Sequence, residues 1–537
     1  MSKKIYIQDW LSLKPYKEQC VTDSYYLKLS NHVKKILLLE EPFFREQNMD
    51  EEDINRLACF FTSYFEDIIS GTNIWNSFVR KHKQLYQKHL PFYETKEYCE
   101  GEINVEDIRF LTWYFVNATQ ENKFISPYHP QFFIISDRVM DIFEDAWEYA
   151  PENKRLQSLY KIDVNGSDYY VVRKLIDTVL FHTYLFHIDT GTKIIEAIIE
   201  VFEKEEDEEK IPSLLNEIRD DMLHNSHTQL LALTGKEWTA EILGGEHPLY
   251  QDLISMSKKI LGWFFYKGQN ETDIFLEHIA SGMKFNMTKK SYDHSEELHD
   301  KDKLLFMGIV RWKNEWWFSG IQVIIGFDAD LILDEKNSLK SRNAVAFLYH
   351  QSDKVQEMLD EQFVSFLKFN KGLQIAFMPT SEIDDFIKKY TEFYNDSLNL
   401  SEKEIKDAEA RHRKDGFFPE NELKFSDVAG EEHGTALVFY NPRSGAEIVL
   451  EANSAFPLPN NPYFKKEQSE EHLIRLLMDK GISADLVWFC MHNCKSKLPF
   501  FKKGIGTELL KDMDFFLRLW KGRNYFQEPS ITMIGEE

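Results

Sequence analysis

Hydrophobic residues in the first third of the chain recur every three or four positions, the spacing of one face of an α-helix. The clearest run follows Asp50, which can cap a helix start, and stops at Gly71, which can adopt the left-handed conformation of a helix end. Its apolar positions are Ile54, Leu57, Phe61, Tyr64, Phe65 and Ile68. The pattern predicts a helical domain over residues 1–150. A second helical domain is predicted over residues 151–235, with helices near 171–185, 193–202 and 211–233.

The pattern changes in the middle of the chain, where β-branched and aromatic residues crowd into short runs. Lys303–Ile325 reads KLLFMGIVRWKNEWWFSGIQVII, with a polar break at Lys313–Glu315. Strands favour these residue types, and a three-residue polar gap suits a hairpin loop. We therefore predict a hairpin here, inside a small antiparallel β-sheet or barrel module over residues 236–335. A helix near 249–263 should precede it.

Three tryptophans, Trp312, Trp316 and Trp317, surround the break of this hairpin. Adjacent residues of a strand point to opposite faces, so Trp316 and Trp317 cannot both be buried on a one-sided sheet. Packing against the module's own helix accounts for one indole, and the other is expected to meet a neighbouring domain, a ligand or a partner. With the adjacent Arg311 and Lys313, the three tryptophans form the predicted binding site.

The rest of the chain mixes both patterns. A region over residues 336–430 is predicted to hold strands near 343–349 and 373–378 around a helix at 353–369. The last region, residues 431–537, opens with a hairpin of strands 435–441 and 446–452, which Gly445 can close, and continues with helices. The predicted fold class is therefore a multidomain α+β protein with a mainly helical N-terminal half and a mixed C-terminal region.

Charge and cysteine content restrict the partners and the compartment. The net charge of −25 repels phosphate backbones and anionic membranes, so nucleic acid is disfavoured as a partner and membrane association is not expected. A dense run of charge over 203–210 is most simply an exposed helix end or loop, with an acidic docking site as the lesser alternative. Five cysteines, no visible signal peptide and no apolar run near the roughly 20 residues of a membrane span predict a soluble, cytoplasmic protein.

Sequence motifs for catalysis are missing. The glycine-rich nucleotide loops and the serine-hydrolase elbow do not occur, so no catalytic residue and no cofactor is predicted. Asp220, His224 and His227 form one weak candidate metal set, because residues three and four apart share a helix face. Surface polar residues near a helix end are the favoured interpretation of these three.

Several sequence strings resemble an uncharacterised bacterial family, a domain of unknown function found in Bacteroides-type species. The strings are IYIQDWLSLKPY, TDSYYLKL, YFEDIISGTNIWNSF, DIFLEHIASG and FYNPRSGAEIVLEANSAFPLPNNPYF, in chain order. They extend over nearly the whole chain. The resemblance implies a cytoplasmic bacterial protein and supplies no catalytic residue.

These observations favour a non-enzymatic protein-interaction or regulatory protein with an unknown protein partner. One alternative is a nucleic-acid-binding module in which the hairpin tryptophans stack bases beside Arg311 and Lys313. The other is a divergent metal-dependent hydrolase built on Asp220, His224 and His227.

Overall fold

The computed structural model describes residues 4–119, 124–164, 168–205, 207–293, 295–298, 303–345, 348, 352–398, 403, 406 and 434–526. These residues form two compact units. One comprises the described residues up to Lys258 together with Arg311–Asn314, and the other comprises those of Lys259–Val310 and those from Glu315 onward. The division into five domains stays a prediction.

The first unit is mainly helical, which confirms the predicted helical N-terminal half. Its helices are α1 (Ile7–Leu11), α2 (Asp23–Leu37), α3 (Glu41–Glu46), α4 (Glu51–Ser70), α5 (Ile74–Tyr86), α6 (Val105–Ala118), α7 (Pro130–Trp147), α8 (Lys154–Leu159), α9 (Tyr169–His182), α10 (Tyr184–Lys204), α11 (Ile211–Asn225), α12 (Gly235–Leu243) and α13 (Tyr250–Ser255). Within the described ranges, no helix combines the length and the apolar character that crossing a bilayer requires.

Helix α4 forms where its sequence predicts it, and for the predicted reasons. The Asp50 side chain accepts hydrogen bonds from the backbone N–H groups of Glu52 and Asp53, and Gly71 ends the helix with a φ of 61°. Most of its residues are buried, so α4 is the central helix of the first unit. Its position places two carboxylates, Glu66 and Asp67, inside the fold.

The middle of the chain closes into a five-stranded barrel, with neighbouring strands in the order β1–β2–β3–β5–β4. The strands are β1 (Ile260–Gln269), β2 (Asp273–His278), β3 (Lys284–Thr288), β4 (Leu304–Trp312) and β5 (Glu315–Ile325). Pairing is antiparallel between β1 and β2, β1 and β4, and β2 and β3. The β3–β5 pair is parallel, with Met287 opposite Trp316, so the sheet is mixed where an antiparallel one was expected.

Two glycines allow the barrel wall to close. A Cβ at Gly308 would lie 2.1 Å from Lys259 Cε and 2.4 Å from the backbone oxygen of Ser319. A Cβ at Gly262 would lie 2.7 Å from Nε2 of the buried His278. Burial lowers the pKa of His278 to about 4. Both strands therefore require a residue without a side chain at these points.

The C-terminal region is mixed, as predicted. Its helices are α14 (Ala329–Asn337), α15 (Leu339–Asn343), α16 (Ser352–Phe369), α17 (Ile383–Ser397), α18 (Ser469–Met478), α19 (Ala484–Cys494), α20 (Ile505–Leu509) and α21 (Met513–Lys521). Strands β6 (Ile375–Pro379), β7 (Thr435–Asn441) and β8 (Gly445–Leu450) form a three-stranded sheet in that order. The β7–β8 hairpin confirms the predicted one, and Gly445 has a φ of 96°.

Two local predictions are wrong. The segment 249–263 is only helical over Tyr250–Ser255, because Ile260 and the alternating apolar residues after it enter barrel strand β1. The strand expected over 343–349 does not form in its described part: Asn343 ends α15, and Ala344 and Val345 lie in a turn. In both cases a short apolar run suits helix and strand equally, and the long-range pairing decides.

Candidate functional site

The tryptophan hairpin forms as predicted, but its indole rings are not exposed to solvent. Strands β4 and β5 are joined at Lys313, whose φ of 55° makes the turn. The exposed fractions of Trp312, Trp316 and Trp317 are only 2%, 7% and 5%. Trp316 lies in the barrel core, edge-to-face with Phe285 at a centroid distance of 5.0 Å.

Both neighbouring indoles of β5, Trp316 and Trp317, can be buried because the sheet is covered on both sides. A closed barrel buries the inward-facing side chains of β5, and the outward-facing ones near the turn are covered as well. Leu304 and Val310 on the outer face of β4 are also fully buried. Both faces of this hairpin are therefore buried near the turn, so none of the three indoles is exposed to solvent.

The two basic residues beside the hairpin turn have partners inside the first unit. The backbone N–H of Arg311 donates to Ser257 Oγ over 2.8 Å, and its carbonyl accepts from the Ser257 N–H over 3.1 Å. Lys313 Nζ lies 3.8 Å from Asp252 and 5.5 Å from the centroid of the Trp312 ring. Partner binding by this set of five residues stays a prediction.

The weak metal set finds no support in the geometry. Asp220 is fully buried and accepts from Nε of Arg173 over 2.7 Å, while His224 Nε2 lies 2.9 Å from the Tyr169 hydroxyl. The backbone oxygen of His227 accepts from Lys193 Nζ. Over the described ranges, no group of three His, Cys, Asp or Glu residues is arranged to hold a metal ion. The three residues have separate hydrogen-bond partners. The favoured interpretation as surface polar residues is wrong for Asp220 and His224, because both are buried.

Sequence reasoning did not identify a buried ion pair in the first unit. Lys14 Nζ donates to Glu66 and, over 3.1 Å, to Ser63 Oγ, and it lies 3.8 Å from the centroid of the Trp10 ring. The side chains of Lys14 and Glu66 are 2% and 0% exposed. The second oxygen of Glu66 accepts from the Asn153 amide over 2.8 Å.

The Asn153 amide also connects this ion pair to a second buried carboxylate, that of Asp23. It donates to the Tyr16 hydroxyl over 2.9 Å, and Tyr16 in turn donates to Asp23 over 2.9 Å. Asp23 accepts a further bond from the Trp10 indole over 2.8 Å. Burial is the main reason that the pKa of Tyr16 is raised far above its usual range, so this hydroxyl stays a donor. Through these hydrogen bonds, the segment between α1 and α2, which contains Lys14 and Tyr16, is attached to α4.

Two further carboxyls of the first unit are buried, and their hydrogen-bond donors among the described residues are neutral groups. Asp107 accepts from the hydroxyls of Tyr64 and Tyr98 over 2.6 and 2.8 Å, and burial raises its pKa to about 7. Asp67 accepts from Thr72, the backbone N–H groups of Ile74 and Trp75, and the Tyr184 hydroxyl, and burial raises its pKa. These networks fix helix ends and interhelical contacts.

Perturbed pKa values often mark catalytic groups, but a catalytic group must also reach a substrate. Asp67 and Asp107 are 2% and 0% exposed, and their oxygens accept bonds from neighbouring protein donors. The burial of these carboxyl groups within the described residues fits a role in stabilising the fold better than a role in catalysis.

An exposed apolar face lies on α10. Ile195, Ile199 and Phe202 keep 57%, 51% and 60% of their surface in solvent. They are four and three residues apart, so they lie on one side of the helix and cover about 10 Å of its length. We call these three residues the α10 face. The side chains of α10 that are buried, such as Tyr184, Leu185 and Phe186, all precede residue 191.

Acidic residues flank the α10 face. At about 100° per residue, Glu196, Glu200 and Glu203 lie along one edge of the apolar stripe. Over residues 193–210 the chain has eight acidic and three basic residues. The face thus combines an apolar surface with a negative edge.

The sequence pattern predicts the helix and the exposed acidic run, but it does not single out the face. The signal was present in Ile194, Ile195, Ile198, Ile199, Val201 and Phe202, more apolar residues than one buried stripe requires. A helix that is apolar around much of its circumference is normally buried. Only the structure shows that this end of α10 is not.

Comparison with known proteins gives a family without a known activity. Residues 4–267 match the family described as "Protein of unknown function (DUF3843)". The first three of the five resemblance strings lie inside this range, and the other two lie beyond it, so the match is shorter than expected. The chain matches no curated protein and no solved structure. The bacterial origin stays a prediction.

Proposed function

We propose that this chain, which carries the DUF3843 domain of unknown function over residues 4–267, is a non-enzymatic interaction protein that binds another protein through the α10 face. The observation that carries the proposal is the joint exposure of Ile195, Ile199 and Phe202 on one side of one helix. Single exposed apolar residues are ordinary on protein surfaces, whereas a contiguous group suggests an interface.

The energy available from covering this face is sufficient to contribute to binding. Complete burial of an isoleucine or phenylalanine stabilises by about 1.5–3 kcal/mol, and each of the three side chains has already buried about half of its surface. Covering the remainder would contribute about 1 kcal/mol per side chain, or roughly 3 kcal/mol in total. A micromolar dissociation constant corresponds to a binding free energy of about 8 kcal/mol, so hydrogen bonds or charge pairs at the edge would have to supply the remainder.

The helix is also held ready for binding. Its first turns are anchored in the first unit by buried side chains, and the Tyr184 hydroxyl donates to Asp67 over 3.0 Å. Thr190, at the end of this anchored part, donates to the carbonyl groups of Leu180 and Phe186. A partner would therefore meet a preformed helix and would lose little affinity to ordering it.

The test is capture of partners from native lysate by tagged full-length protein. We expect a stoichiometric partner with the wild type and its loss with the double variant Ile195→Glu/Ile199→Glu. Val21→Glu is the matched control, because Val21 is 95% exposed at a position away from α10. Retention of the partner by the double variant, or absence of any stoichiometric partner at every growth stage, would contradict the proposal.

A second candidate function is nucleic-acid binding by the barrel. Five-stranded barrels of the OB type bind oligonucleotides on the face of their second and third strands. Here Phe275 is half-buried on the outer face of β2, and Lys284 and Asn286 are exposed on β3. The net charge of −25 opposes this function. Salt-sensitive binding of single-stranded DNA that Phe275→Ala abolishes would favour it over the α10 face.

The proposed setting is the bacterial cytoplasm. All five cysteines are free thiols, which suits a reducing compartment. The resemblance to Bacteroides-type proteins supports the same setting.

A further inference from the structure

We infer that the occupant of the α10 face is a basic amphipathic helix of another protein. This inference rests on the proposed function and adds the chemistry of the partner. Three observations carry it: the helical spacing of the apolar residues, the acidic edge beside them, and the internal partners of the nearby lysines.

The spacing of the face matches that of a second helix. Residues at i, i+4 and i+7 form a stripe into which the side chains of a partner helix can pack. The stripe extends over about two helical turns, so two to three turns of a partner would cover it. Ile194, Ile198 and Val201 lie at one side of it and are only partly buried, so they widen the apolar surface.

The cations of α10 balance the charges near the face only in part. Lys204 is paired with Glu200 over 2.5 Å, and Lys193 is paired with Asp189 over 2.8 Å and also donates to the His227 carbonyl. Glu196 and Glu203 are exposed beside the stripe. Past the end of the helix, Glu208 and Glu209 are exposed as well, and Asp207 is paired with Lys210 over 3.4 Å. Lysine or arginine on one side of the partner helix would complement this edge.

The same charges argue against two other occupants. A second copy of this chain would bring its own acidic edge and its net charge of −25 to the interface. An anionic membrane surface would be repelled in the same way, although an amphipathic apolar face alone could suit it. A basic helix is the occupant that satisfies both the apolar stripe and its edge.

The test uses full-length protein and three fluorescein-labelled 18-residue peptides in fluorescence anisotropy. The first has leucine at i, i+3, i+4 and i+7 with lysine flanking the leucine stripe, and the second has glutamate in place of each lysine. The third is a scrambled sequence of the first, which keeps the charge but loses the stripe. We expect the lysine peptide to bind at least tenfold more tightly than either of the others at 50 mM salt. Its advantage over the glutamate peptide should shrink at 500 mM salt, because salt screens the charge interactions.

Two protein variants separate the contributions. Glu196→Lys/Glu203→Lys should reverse the preference between the lysine and glutamate peptides, and Ile199→Ser/Phe202→Ser should weaken the lysine peptide at least tenfold. All four positions are exposed, so far-ultraviolet circular dichroism should stay unchanged. Glu94→Lys, at an exposed acidic position distant in sequence from α10, is the charge control and should keep the wild-type preference.

The outcomes distinguish this inference from the proposed function. Equal binding of the lysine and glutamate peptides, lost in Ile199→Ser/Phe202→Ser, would overturn the basic partner and leave the apolar docking face intact. Equal binding of the scrambled peptide would overturn the helical occupant. Light scattering could show a concentration-dependent dimer that Ile199→Ser/Phe202→Ser abolishes, and this result would overturn the inference in favour of a second copy. Binding to phosphatidylserine vesicles that the same variant abolishes would overturn it in favour of a membrane.

Discussion

The buried ion pair of Lys14 and Glu66 allows the sharpest prediction about stability. Lys14→Met removes the ammonium group, its bond to Ser63 and its position over the Trp10 ring, and it leaves Glu66 buried with the Asn153 amide. Removing one member of a buried ion pair typically costs about 3–5 kcal/mol, because the remaining charge is uncompensated. We therefore expect Lys14→Met to lower the free energy of opening of α4 by about 3–5 kcal/mol.

The double variant Lys14→Met/Glu66→Leu should lose less than either single change. It removes both charges, and apolar replacements of a buried pair are often close to neutral. We expect the double variant to be at least about 2 kcal/mol more stable than Lys14→Met. Together with Glu66→Leu alone and the wild type, these variants form a double-mutant cycle that gives the coupling energy of the two side chains.

Cys59 provides the assay, because it lies in α4, is 1% exposed, and has a pKa that burial raises to about 12. Its rate of alkylation, followed by peptide mass spectrometry and compared with the unfolded rate, reports the free energy of opening around α4. Cys490 and Cys494, buried in the second unit, are internal controls whose rates should not change.

An exposed ion pair supplies the matched control. Lys96 and Glu94 lie 3.3 Å apart with side chains 86% and 84% exposed, so Lys96→Met should change the same free energy by less than about 0.5 kcal/mol. If Lys14→Met lowers the free energy of opening of α4 no more than Lys96→Met does, burial does not make the Lys14–Glu66 pair important for stability, and the prediction is refuted.

Two further predictions concern pH and packing. The pKa of Asp107 is raised from 3.8 to about 7, so between these values the folded state keeps a proton that the unfolded state has lost, and stability should fall as pH rises through this window. In the wild type the free energy of unfolding should fall by an amount on the order of 4 kcal/mol between pH 4 and pH 7, and Asp107→Asn should remove this fall. Urea unfolding at several pH values measures it, and an unchanged fall in the variant would show that another group causes it. Gly308→Ala should destabilise the barrel by about 3 kcal/mol or more, because its Cβ would meet the Ser319 backbone. Hydrogen exchange of peptides over 260–325 measures this loss, and Gly326→Ala, with nothing within 4 Å of its Cβ, should leave exchange unchanged.

The two kinds of feature in this protein have different roles. The buried networks around α4 use charged side chains to fix one arrangement of helices, and they are shielded from ligands by their burial. The α10 face uses apolar side chains where solvent would favour polar ones. The first arrangement explains how the helical unit is held together, and the second is where a partner could gain energy by binding.

The sequence alone determined the local elements with strong signals. The cap at Asp50 and the stop at Gly71 fixed α4, and the aromatic runs around Lys313 fixed the β4–β5 hairpin. These succeeded because the hydrogen bonds and backbone conformations that define them lie within a few residues of one another. Short apolar runs without such signals, near Leu249 and Asn343, could not be assigned correctly.

Tertiary structure alone decided which side chains meet solvent. Closure of the barrel enclosed Trp316, and the outer side of the hairpin is buried at Trp312 and Trp317 as well. On α10, the buried part of the helix ends before Ile195, Ile199 and Phe202, which stay in solvent. The tertiary structure also joined Lys14 to Glu66 across 52 positions of sequence. The physical reason is that burial depends on contacts between segments distant along the chain, whereas periodicity reports only which residues share a face.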